Sequence, residues 1–244
     1  MQRKSQFYPS PAAFIPLKYA GCATARPNMR FAIFGDVHAN LEALQAVLED
    51  ARGCGVTHYV CTGDLVGYNA SPRECVKIIR DLGCLVVKGD YDDLASTDGD
   101  ATGFHPQVMA SIDSTRQQLS PDEKRWLSEL PMTQTVADFT VVHATLDMPE
   151  KWGYVFNQLD AAASFHHQHT QVCFYGHTHA PRAYTQDRSV KTVVLDKLQI
   201  EPDKKYFVNV GSVGQPRDGD RRAAYCIYDT DEQIIELRRV AYDL

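Results

Sequence analysis

The chain has 244 residues, of which 44% are hydrophobic and 23% charged, a composition typical of a globular protein with a sizeable core. Its formal net charge of −6 argues against nucleic acid as the main partner, because neutralising many phosphates requires clustered Lys and Arg, but it allows a small phosphorylated substrate. Seven cysteines without CxxC spacing exclude a disulfide framework or a zinc ribbon, and no apolar run approaches the roughly 20 residues of a membrane span, so a cytoplasmic protein is expected.

Residues 1–28 differ in character from the rest of the chain. They contain four prolines, show no sustained periodicity and lack the compact apolar core of a signal peptide. Two explanations stay open for this Pro-rich extension. In one, Met29 is the natural start and the leader comes from the choice of gene start. In the other, the extension packs on the domain that we predict for residues 29–244, through Phe7, Phe14, Ile15 and Tyr19.

The pattern from residue 29 to residue 90 alternates between short apolar strands and amphipathic helices. The helix over 41–51 places its apolar side chains on one face, and Asn40 is a natural N-cap for it. Such βαβ units imply a parallel sheet whose loops gather at the carboxyl ends of the strands. In chain order the predicted elements are MRFAIFGD (29–36), LEALQAVLEDA (41–51), THYVCTGD (57–64), PRECVKIIRDL (72–82) and CLVVKGD (84–90).

The second half of the chain is predicted to be rich in strands. Residues 105–130 are mostly helical, with Ser120-Pro121-Asp122-Glu123 as a helix start. Later segments read as strands, and Asp-Thr-Asp at 229–231 predicts a hairpin turn in an antiparallel tail. We therefore predict an α/β fold, an αββα sandwich of two sheets flanked by helices. The predicted strands are 133–144, 172–180, 181–186, 191–196, 206–214, 223–230 and 232–242.

Three Gly-Asp pairs follow three successive predicted strands, in GDVHAN (35–40), GDLVGY (63–68) and GDYDD (89–93). Glycine lets the backbone turn sharply, so the three carboxylates are expected to converge at one edge of the sheet. Their mutual repulsion would raise their pKa values unless cations were present. Histidines arrive in matching places. They are His38, His143 at the end of TVVH, and His177 and His179 in GHTH.

Three carboxylates and four imidazoles form a mixed oxygen and nitrogen donor set that suits manganese, iron, zinc, nickel or cobalt. Seven ligands are too many for one zinc ion, which takes four. Two ions that share a carboxylate use the set naturally, and such a pair can clamp a phosphate and generate hydroxide for in-line attack. The predicted metal residues are Asp36, His38, Asp64, Asp90, His143, His177 and His179.

The ordered set GDVHAN, GDLVG, GDYDD, His143, GHTH and NVGSVGQPRD resembles the calcineurin-like metallophosphoesterase superfamily, over about residues 29–244. The spacing is most similar to its compact bacterial and archaeal branch of phosphodiesterases and diadenosine tetraphosphate hydrolase-like proteins. The resemblance implies that Asp36, His38 and His179 hold the first metal. Asp64 would then bridge, and the second metal would be held by Asp90, His143 and His177.

The third motif departs from the family pattern, which is usually Gly-Asn-His-Asp, whereas this chain has Gly89-Asp90-Tyr91-Asp92. With two divalent ions, three Asp ligands and one hydroxide, the formal charge is zero, one unit below the Asn version. We expect weaker attraction for anionic substrates and a preference for a more highly charged metal such as ferric iron. Tyr91 stands where many members of the family have a histidine that is thought to protonate the leaving group. A phenol with a reference pKa near 10 is a poor proton donor at neutral pH.

Two further side chains are predicted to act in catalysis. Asp92 would orient the third loop, and Arg217 in the NVGSVGQPRD loop could fork onto a substrate phosphate. The alternative for Arg217 is an ion pair with Asp218, Asp220 or another surface acid.

Other polar residues have plainer explanations. Asn40 is interpreted as a helix cap rather than an outer-sphere partner of the metals. The histidines at 166, 167 and 169 suit a helix C-terminus better than a third metal. His105 either reaches the site as a cap or simply begins a helix. Beyond Asp90 and Asp92, the acidic run 91–100 is predicted to be a solvated loop.

These observations predict hydrolysis of a phosphoester or phosphoanhydride at a dinuclear centre, with a metal-bridging hydroxide as nucleophile. The expected cofactors are two divalent or mixed-valence ions of manganese, iron, zinc or nickel. A small phosphorylated substrate, such as a nucleotide, is the expected partner, and a homo-oligomer is compatible with the sequence. The alternative is a catalytically weak or inactive metal-binding scaffold that engages other proteins. Asp90 and Tyr91 keep that alternative open, whereas seven buried polar ligands argue against it.

Overall fold

The computed structural model describes residues 29–97 and 105–243. The predicted N-terminal extension therefore lies outside the described residues, as does the end of the acidic run 91–100. Within the described ranges the chain forms two mixed sheets of six strands each, flanked by six α-helices, which confirms the predicted αββα sandwich. None of the helices in these ranges combines the length and the apolar character needed to cross a membrane.

The first sheet has the strand order β3-β2-β1-β11-β12-β9. Its first three strands are parallel, as the βαβ pattern predicted, whereas β11 pairs antiparallel with β1 and with β12. The parallel strands end together, which brings the loops after β1, β2 and β3 to one edge. The strands of this sheet are β1 (Arg30–Phe34), β2 (His58–Cys61), β3 (Leu85–Val86), β9 (Lys197–Gln199), β11 (Ala223–Asp229) and β12 (Ile234–Val240).

The second sheet has the strand order β4-β5-β6-β10-β7-β8. Strands β5, β6 and β10 are parallel to one another, so the loops after β5, β6 and β10 also share one edge. The predicted strand 133–144 is in fact a hairpin, because the chain reverses at Ala137 (φ 50°). The strands are β4 (Thr133–Val136), β5 (Phe139–Val142), β6 (Val172–Tyr175), β7 (Arg182–Gln186), β8 (Val190–Val193) and β10 (Lys205–Asn209).

The helices cover the outer faces of both sheets. The predicted N-caps of two of them are formed: Asn40 accepts from Ala43 N–H and Ser120 accepts from Glu123 N–H. The helices are α1 (Leu41–Gly53), α2 (Pro72–Asp81), α3 (Asp90–Ser96), α4 (Pro106–Gln118), α5 (Pro121–Ser128) and α6 (Gln158–His167).

Helix α3 corrects the interpretation of the acidic run as a solvated loop over residues 91–96. Asp90 is the first residue of α3, and three acidic side chains occupy its first turn. Carboxylates at a helix N-terminus are stabilised by the helix dipole, so the acidic cluster favours a helix here. Strand β3 is correspondingly short, with two residues rather than the predicted seven.

Alternation along the strands creates three apolar layers. In β1, Phe31 and Ile33 face the second sheet, while Ala32 and Phe34 face helices α1 and α2. A third cluster packs α6 on the outer face of the second sheet. Strands buried on both faces explain the near-continuous apolar runs in the sequence.

Asp50 on α1 links that helix to the first sheet. Its carboxylate accepts a hydrogen bond from Tyr225 Oη (2.7 Å) and two from the Arg238 guanidinium (3.0 and 3.2 Å). Burial opposes ionisation, but the bonds from Arg238 and Tyr225 hold the pKa of Asp50 below its usual value. We expect Asp50→Ala to lower the free energy of unfolding by about 1–3 kcal/mol, measured by urea denaturation at pH 7.

The sign of the pH dependence follows from the lowered pKa. The carboxylate stabilises the fold above the unfolded pKa near 3.9, and its contribution is lost as pH falls through the lower folded pKa. The difference between wild type and Asp50→Ala should therefore shrink below about pH 4. Asp81→Ala, which removes an exposed partner of Lys77, is the matched control and should change the unfolding free energy by less than about 0.5 kcal/mol. Equal losses in both variants would contradict this assignment.

Candidate metal centre

Five of the seven predicted ligands lie on strained backbone at the loop edge. Their φ angles are positive, a region that costs a non-glycine residue about 1–2 kcal/mol. Such strain persists only where the surroundings enforce it, and it is concentrated at functional sites. The five residues are Asp36 (48°), His38 (46°), Asp64 (55°), His177 (65°) and His179 (57°).

The glycines of the Gly-Asp pairs allow the loops to pack on one another. Gly63 has φ 99°, and a Cβ atom there would lie 2.6 Å from the backbone nitrogen of Gly89. A Cβ atom on Gly89 would in turn collide with the Asp64 carboxylate. The Gly-Asp pattern therefore reflects direct contact between the second and third loops, which fixes the spacing of their aspartates.

A first group of buried donors comprises Asp36, His38, Asp64 and His179, whose ligand atoms all lie within 4.8 Å of one another. The Nε2 atoms of His38 and His179 are 3.0 Å apart. Asp36 Oδ1 lies 3.3 Å from His179 Nε2, and Asp64 Oδ2 lies 3.5 Å from His38 Nε2. All four side chains are at most 2% exposed.

The histidine tautomers of this group are set by backbone carbonyls. His38 Nδ1 lies 3.0 Å from Val66 O, and His179 Nδ1 lies 2.6 Å from Gln215 O. A carbonyl oxygen can only accept, so each Nδ1 carries a proton and the two Nε2 atoms face each other. Burial and, to a smaller extent, the neighbouring His179 lower the pKa of His38 to about 3, which keeps that ring neutral. Two imidazole nitrogens that face each other at 3.0 Å, with both Nδ1 atoms already protonated, call for a cation between them.

A second group comprises Asp64, Asp90, His143 and His177, again with ligand atoms within 4.8 Å of one another. His143 Nε2 lies 3.2 Å from Asp90 Oδ1, 3.1 Å from His177 Nδ1 and 3.5 Å from Asp64 Oδ2. His143 Nδ1 faces Thr62 O at 2.8 Å, so its ring is oriented in the same way as those of the first group. Asp64 belongs to both groups.

The pKa values of the carboxylates in the two groups are shifted in opposite directions. Burial raises the pKa of Asp64 well above its usual value, and the charge of Asp90 raises it further. Burial also opposes ionisation of Asp90 and Asp36, but neighbouring imidazoles hold the pKa of Asp90 well below its usual range and that of Asp36 at about 2. Without cations, Asp64 thus lies in an unfavourable anionic environment, which positive ions at both groups would relieve.

The donor set fits divalent metal ions. Buried carboxylates and imidazoles with oriented lone pairs are the ligands of transition metals, and each histidine held by a backbone carbonyl through its other nitrogen has the outer partner usual for metal-binding histidine. His143 differs in charge. Burial lowers its pKa, but Asp64 and Asp90 raise it to about 10, so metal uptake would release a proton there.

Asp92 lies behind the groups rather than among them. It is fully buried, and its carboxylate accepts hydrogen bonds from the backbone N–H groups of Asp64 (2.8 Å), Leu65 (2.8 Å) and Gly89 (3.1 Å). Burial raises its pKa to about 6, although these bonds act in the opposite direction. The contacts support the predicted orienting role, since they tie the second loop to the third.

Tyr91 is 7% exposed and points its hydroxyl at the hydroxyl of Tyr68. Both rings meet His38 edge-on, with centroids 5.0 Å and 4.7 Å from its ring. Burial and the bond to Tyr68 raise the pKa of Tyr91 far above its usual value. Tyr68 was not predicted to take part. Its position follows from the left-handed turn after Gly67, which local sequence does not reveal.

A cavity of about 300 Å³ opens over the two groups, lined among others by Asp64, Asp90, Tyr154, Arg217 and His105. Arg217 donates to Gln215 Oε1 (2.6 Å) and to Tyr68 Oη (3.3 Å). The described structure shows no ion pair between Arg217 and Asp218 or Asp220. Those acids pair instead with Arg239 and Arg222, respectively.

Two histidine interpretations are resolved by the structure. His105 both caps helix α4 and lines the cavity, so its two predicted explanations hold together. The histidines at 166 and 167 are exposed at the end of α6, and His169 is exposed just beyond it. Among the described residues, none of these three belongs to a group of metal-binding geometry.

Asn40 belongs to neither ligand group, and both the oxygen and the nitrogen of its amide make hydrogen bonds to other parts of the chain. Its oxygen caps α1, and its nitrogen donates to Gly214 O (3.2 Å) and Tyr242 Oη (3.3 Å). The helix-cap interpretation is confirmed.

Tyr154 is an aromatic side chain at the site that sequence reasoning missed. Its ring stacks on His177 with centroids 4.2 Å apart and planes 29° apart. Trp152 in the same segment meets His143 edge-on at 5.9 Å. The segment lies between β5 and α6 without regular periodicity, so only the aromatic run WGYVF (152–156) could have drawn attention to it.

Comparison with known proteins gives consistent results. The family model of the calcineurin-like phosphoesterase superfamily domain matches residues 29–233. An uncharacterized protein of Methanocaldococcus jannaschii is 36% identical over 218 residues, covering 87% of this chain and 88% of its own. The crystal structure of a metallophosphoesterase from Sphaerobacter thermophilus is 37% identical, with a TM-score of 0.79, covering 89% of this chain and 90% of that one. A hypothetical protein from Pyrococcus horikoshii OT3 shares the fold at 18% identity and a TM-score of 0.71, covering 88% and 89% of the two chains.

Proposed function

Because the chain belongs to the calcineurin-like phosphoesterase superfamily, we propose that it hydrolyses phosphodiesters or phosphoanhydrides with the help of two metal ions. One observation carries the proposal. Two groups of four buried donors, each compact enough for one ion, share the carboxylate of Asp64. Asp36, His38 and His179 would hold one ion, and Asp90, His143 and His177 the other. Manganese, iron, zinc and nickel all suit these donors.

When bound, such a pair of ions supplies Lewis acidity toward the phosphoryl oxygens and lowers the pKa of water to make a nucleophile. The protein's own part is orientation. Backbone carbonyls hold the rings of His38, His143 and His179, and Asp92 holds the loop that carries Asp64. Arg217 lies at the cavity wall, where its guanidinium would donate to a phosphate that displaces Gln215 Oε1.

The third motif offers no effective general acid to protonate the leaving group. Burial and the hydrogen bond to Tyr68 raise the pKa of Tyr91, so it donates a proton even less readily than an ordinary phenol. A nucleotide or pyrophosphate leaving from an anhydride, or an aryl oxide, needs little protonation. We therefore propose anhydrides and activated esters as the substrates, with diadenosine tetraphosphate as a model.

The substitution Asp90→Asn tests how the negative charge of the site affects hydrolysis of an anionic substrate. Asp90→Asn removes one negative charge while keeping an oxygen toward His143, so hydrolysis of the anionic bis-p-nitrophenyl phosphate is expected to rise several-fold at equal metal loading. The control Asp93→Asn makes the same charge change on a half-exposed partner of Lys88, outside both ligand groups. It should leave the rate within about twofold, as surface substitutions usually do. A slower Asp90→Asn enzyme with full metal content would count against the charge argument.

The proposed function is tested by assaying hydrolysis of bis-p-nitrophenyl phosphate and diadenosine tetraphosphate, with and without added manganese, alongside metal analysis of the protein. Turnover that depends on metal supports the proposal, and the preferred substrate distinguishes a diesterase from an anhydride hydrolase. Metal-loaded protein without turnover on either substrate would favour the scaffold alternative.

A further inference from the structure

Two large aromatic side chains stand exposed beside the ligand groups. Tyr154 is 50% exposed and Phe156 is 60% exposed. Their rings are nearly parallel, with 3° between the planes and 5.4 Å between the centroids. Because Tyr154 also stacks on His177, the three rings form a row that begins at the second ligand group and extends outward.

The backbone that carries this row is held in place on both sides of Phe156. Its N–H donates to Asp160 Oδ2 (2.9 Å), and its carbonyl accepts from Arg182 Nη1 (2.6 Å). Asp160 lies in the first turn of α6, and Asn157 caps that helix. An exposed ring on a fixed backbone loses little further entropy when a ligand covers it, so the row is prepared for binding.

The size of the cavity indicates what must lie on the row. At about 300 Å³ the cavity is at the lower limit of the 300–1,000 Å³ that encloses a drug-sized ligand. In the proposed function, two ions and a phosphate beside Arg217 would fill part of this volume, so the base of a nucleotide would extend over the rim. Tyr154 forms part of that rim, and its neighbour Phe156 continues the aromatic surface away from the phosphate position.

We propose that Tyr154 and Phe156 form a stacking platform for the base of a nucleotide whose phosphate lies over the paired Asp–His groups. The inference rests on the proposed function, which places the phosphate there. Stacking one base on aromatic side chains is worth about 5- to 140-fold in affinity, and every base offers a π-face. The platform therefore favours nucleotides over plain phosphoesters, without selecting one base.

Calorimetric titration of the manganese-loaded 244-residue chain tests the platform by binding alone. Adenosine monophosphate and ribose 5-phosphate share sugar and phosphate and differ by the base. We expect wild type to bind adenosine monophosphate at least about fivefold more tightly than ribose 5-phosphate. Tyr154→Ala and Phe156→Ala should bring this ratio toward one while ribose 5-phosphate affinity and metal content stay unchanged.

Two control variants separate stacking from other effects. Tyr154→Phe keeps the ring and should keep the ratio. Leu159→Ala removes an apolar side chain that is 84% exposed in the same part of the chain, and it should also leave the ratio unchanged.

Four outcomes would overturn the platform. They are equal affinity of wild type for the two ligands, phenyl phosphate binding as tightly as adenosine monophosphate, an unchanged ratio in both alanine variants, and loss of a dimer in Phe156→Ala with the ratio unchanged. The second would indicate a site for aryl esters, and the fourth an interface between copies of the chain. If neither ligand bound the metal-loaded protein, the platform would be overturned, whereas the proposed function would fail only if the metal-dependent hydrolysis assays also showed no turnover.

Discussion

Replacing Asp64 with Asn is expected to reduce metal-dependent hydrolysis by more than about 100-fold. Loss of a residue that only orients a metal ligand typically costs about 10- to 100-fold, and loss of a ligand should cost more. Asp64 is the one residue shared by both donor groups, so its loss weakens both ion positions at once. Asn keeps an oxygen for the hydrogen bond from Tyr91 N–H (2.9 Å) and tolerates the positive φ of 55°. The loss of activity would therefore result from removing the negative charge of the shared ligand.

The same substitution should raise the stability of the metal-free protein. Burial and Asp90 raise the pKa of Asp64 above its unfolded value, so its ionisation opposes folding, and the opposition grows as pH rises from about 4 to neutrality. A neutral amide removes that opposition at pH 7. Manganese at 100 times its Kd should stabilise wild type by about 2.7 kcal/mol and the variant by less.

Thermal unfolding with and without manganese measures both effects, with Asp138→Asn on the exposed β4–β5 turn as the matched control. Without metal, the Tm of wild type should be lower than that of Asp64→Asn. On addition of manganese, wild type should show the larger increase in Tm. A less stable metal-free variant, or a metal-induced increase equal to that of wild type, would show that Asp64 does not have the assigned position.

Asp92→Ala is expected to cause the largest loss of stability. It would leave the N–H groups of Asp64, Leu65 and Gly89 buried without their acceptor, at about 1–3 kcal/mol for each. A loss of about 3 kcal/mol or more is a large part of the 5–15 kcal/mol typical of a domain. Urea denaturation of the metal-free protein measures it, and manganese affinity should fall by about 10- to 100-fold in parallel.

Asp92→Asn keeps one acceptor oxygen in nearly the same volume and removes a buried charge, so it should be more stable than Asp92→Ala, and its manganese affinity should lie between those of wild type and Asp92→Ala. This variant keeps the comparison possible if the alanine variant does not fold. Wild-type stability in Asp92→Ala would contradict the role of the carboxylate in joining the two loops.

The fold and the clustering of the ligand residues were predictable because both depend on strand ends. Parallel strands carry their following loops to one edge, so Gly-Asp after β1, β2 and β3 indicated a shared site without knowledge of distances. His143 was predicted on the same basis, since it follows β5 at the matching edge of the second sheet. The family resemblance, confirmed by the match over residues 29–233, rested on these same motifs.

Features set by contacts between distant loops were not predictable. Tyr154 meets His177 only because the β5–α6 segment folds back over the GHTH loop, and no local pattern encodes that approach. Arg217 lines the cavity, and the acids that were its alternative partners pair instead with Arg239 and Arg222. The edge strand β9 has three residues, too few to show alternation. Helix α3, by contrast, could have been recognised from the acidic residues of its first turn.

Anomalous X-ray diffraction from crystals grown with manganese tests the central claim, a pair of ions joined by Asp64, most directly. The expected result is two peaks roughly 3.5–4 Å apart, one beside Asp36, His38 and His179 and the other beside Asp90, His143 and His177. A single peak at full occupancy, or strong peaks away from Asp64, would contradict the assignment of a two-metal centre.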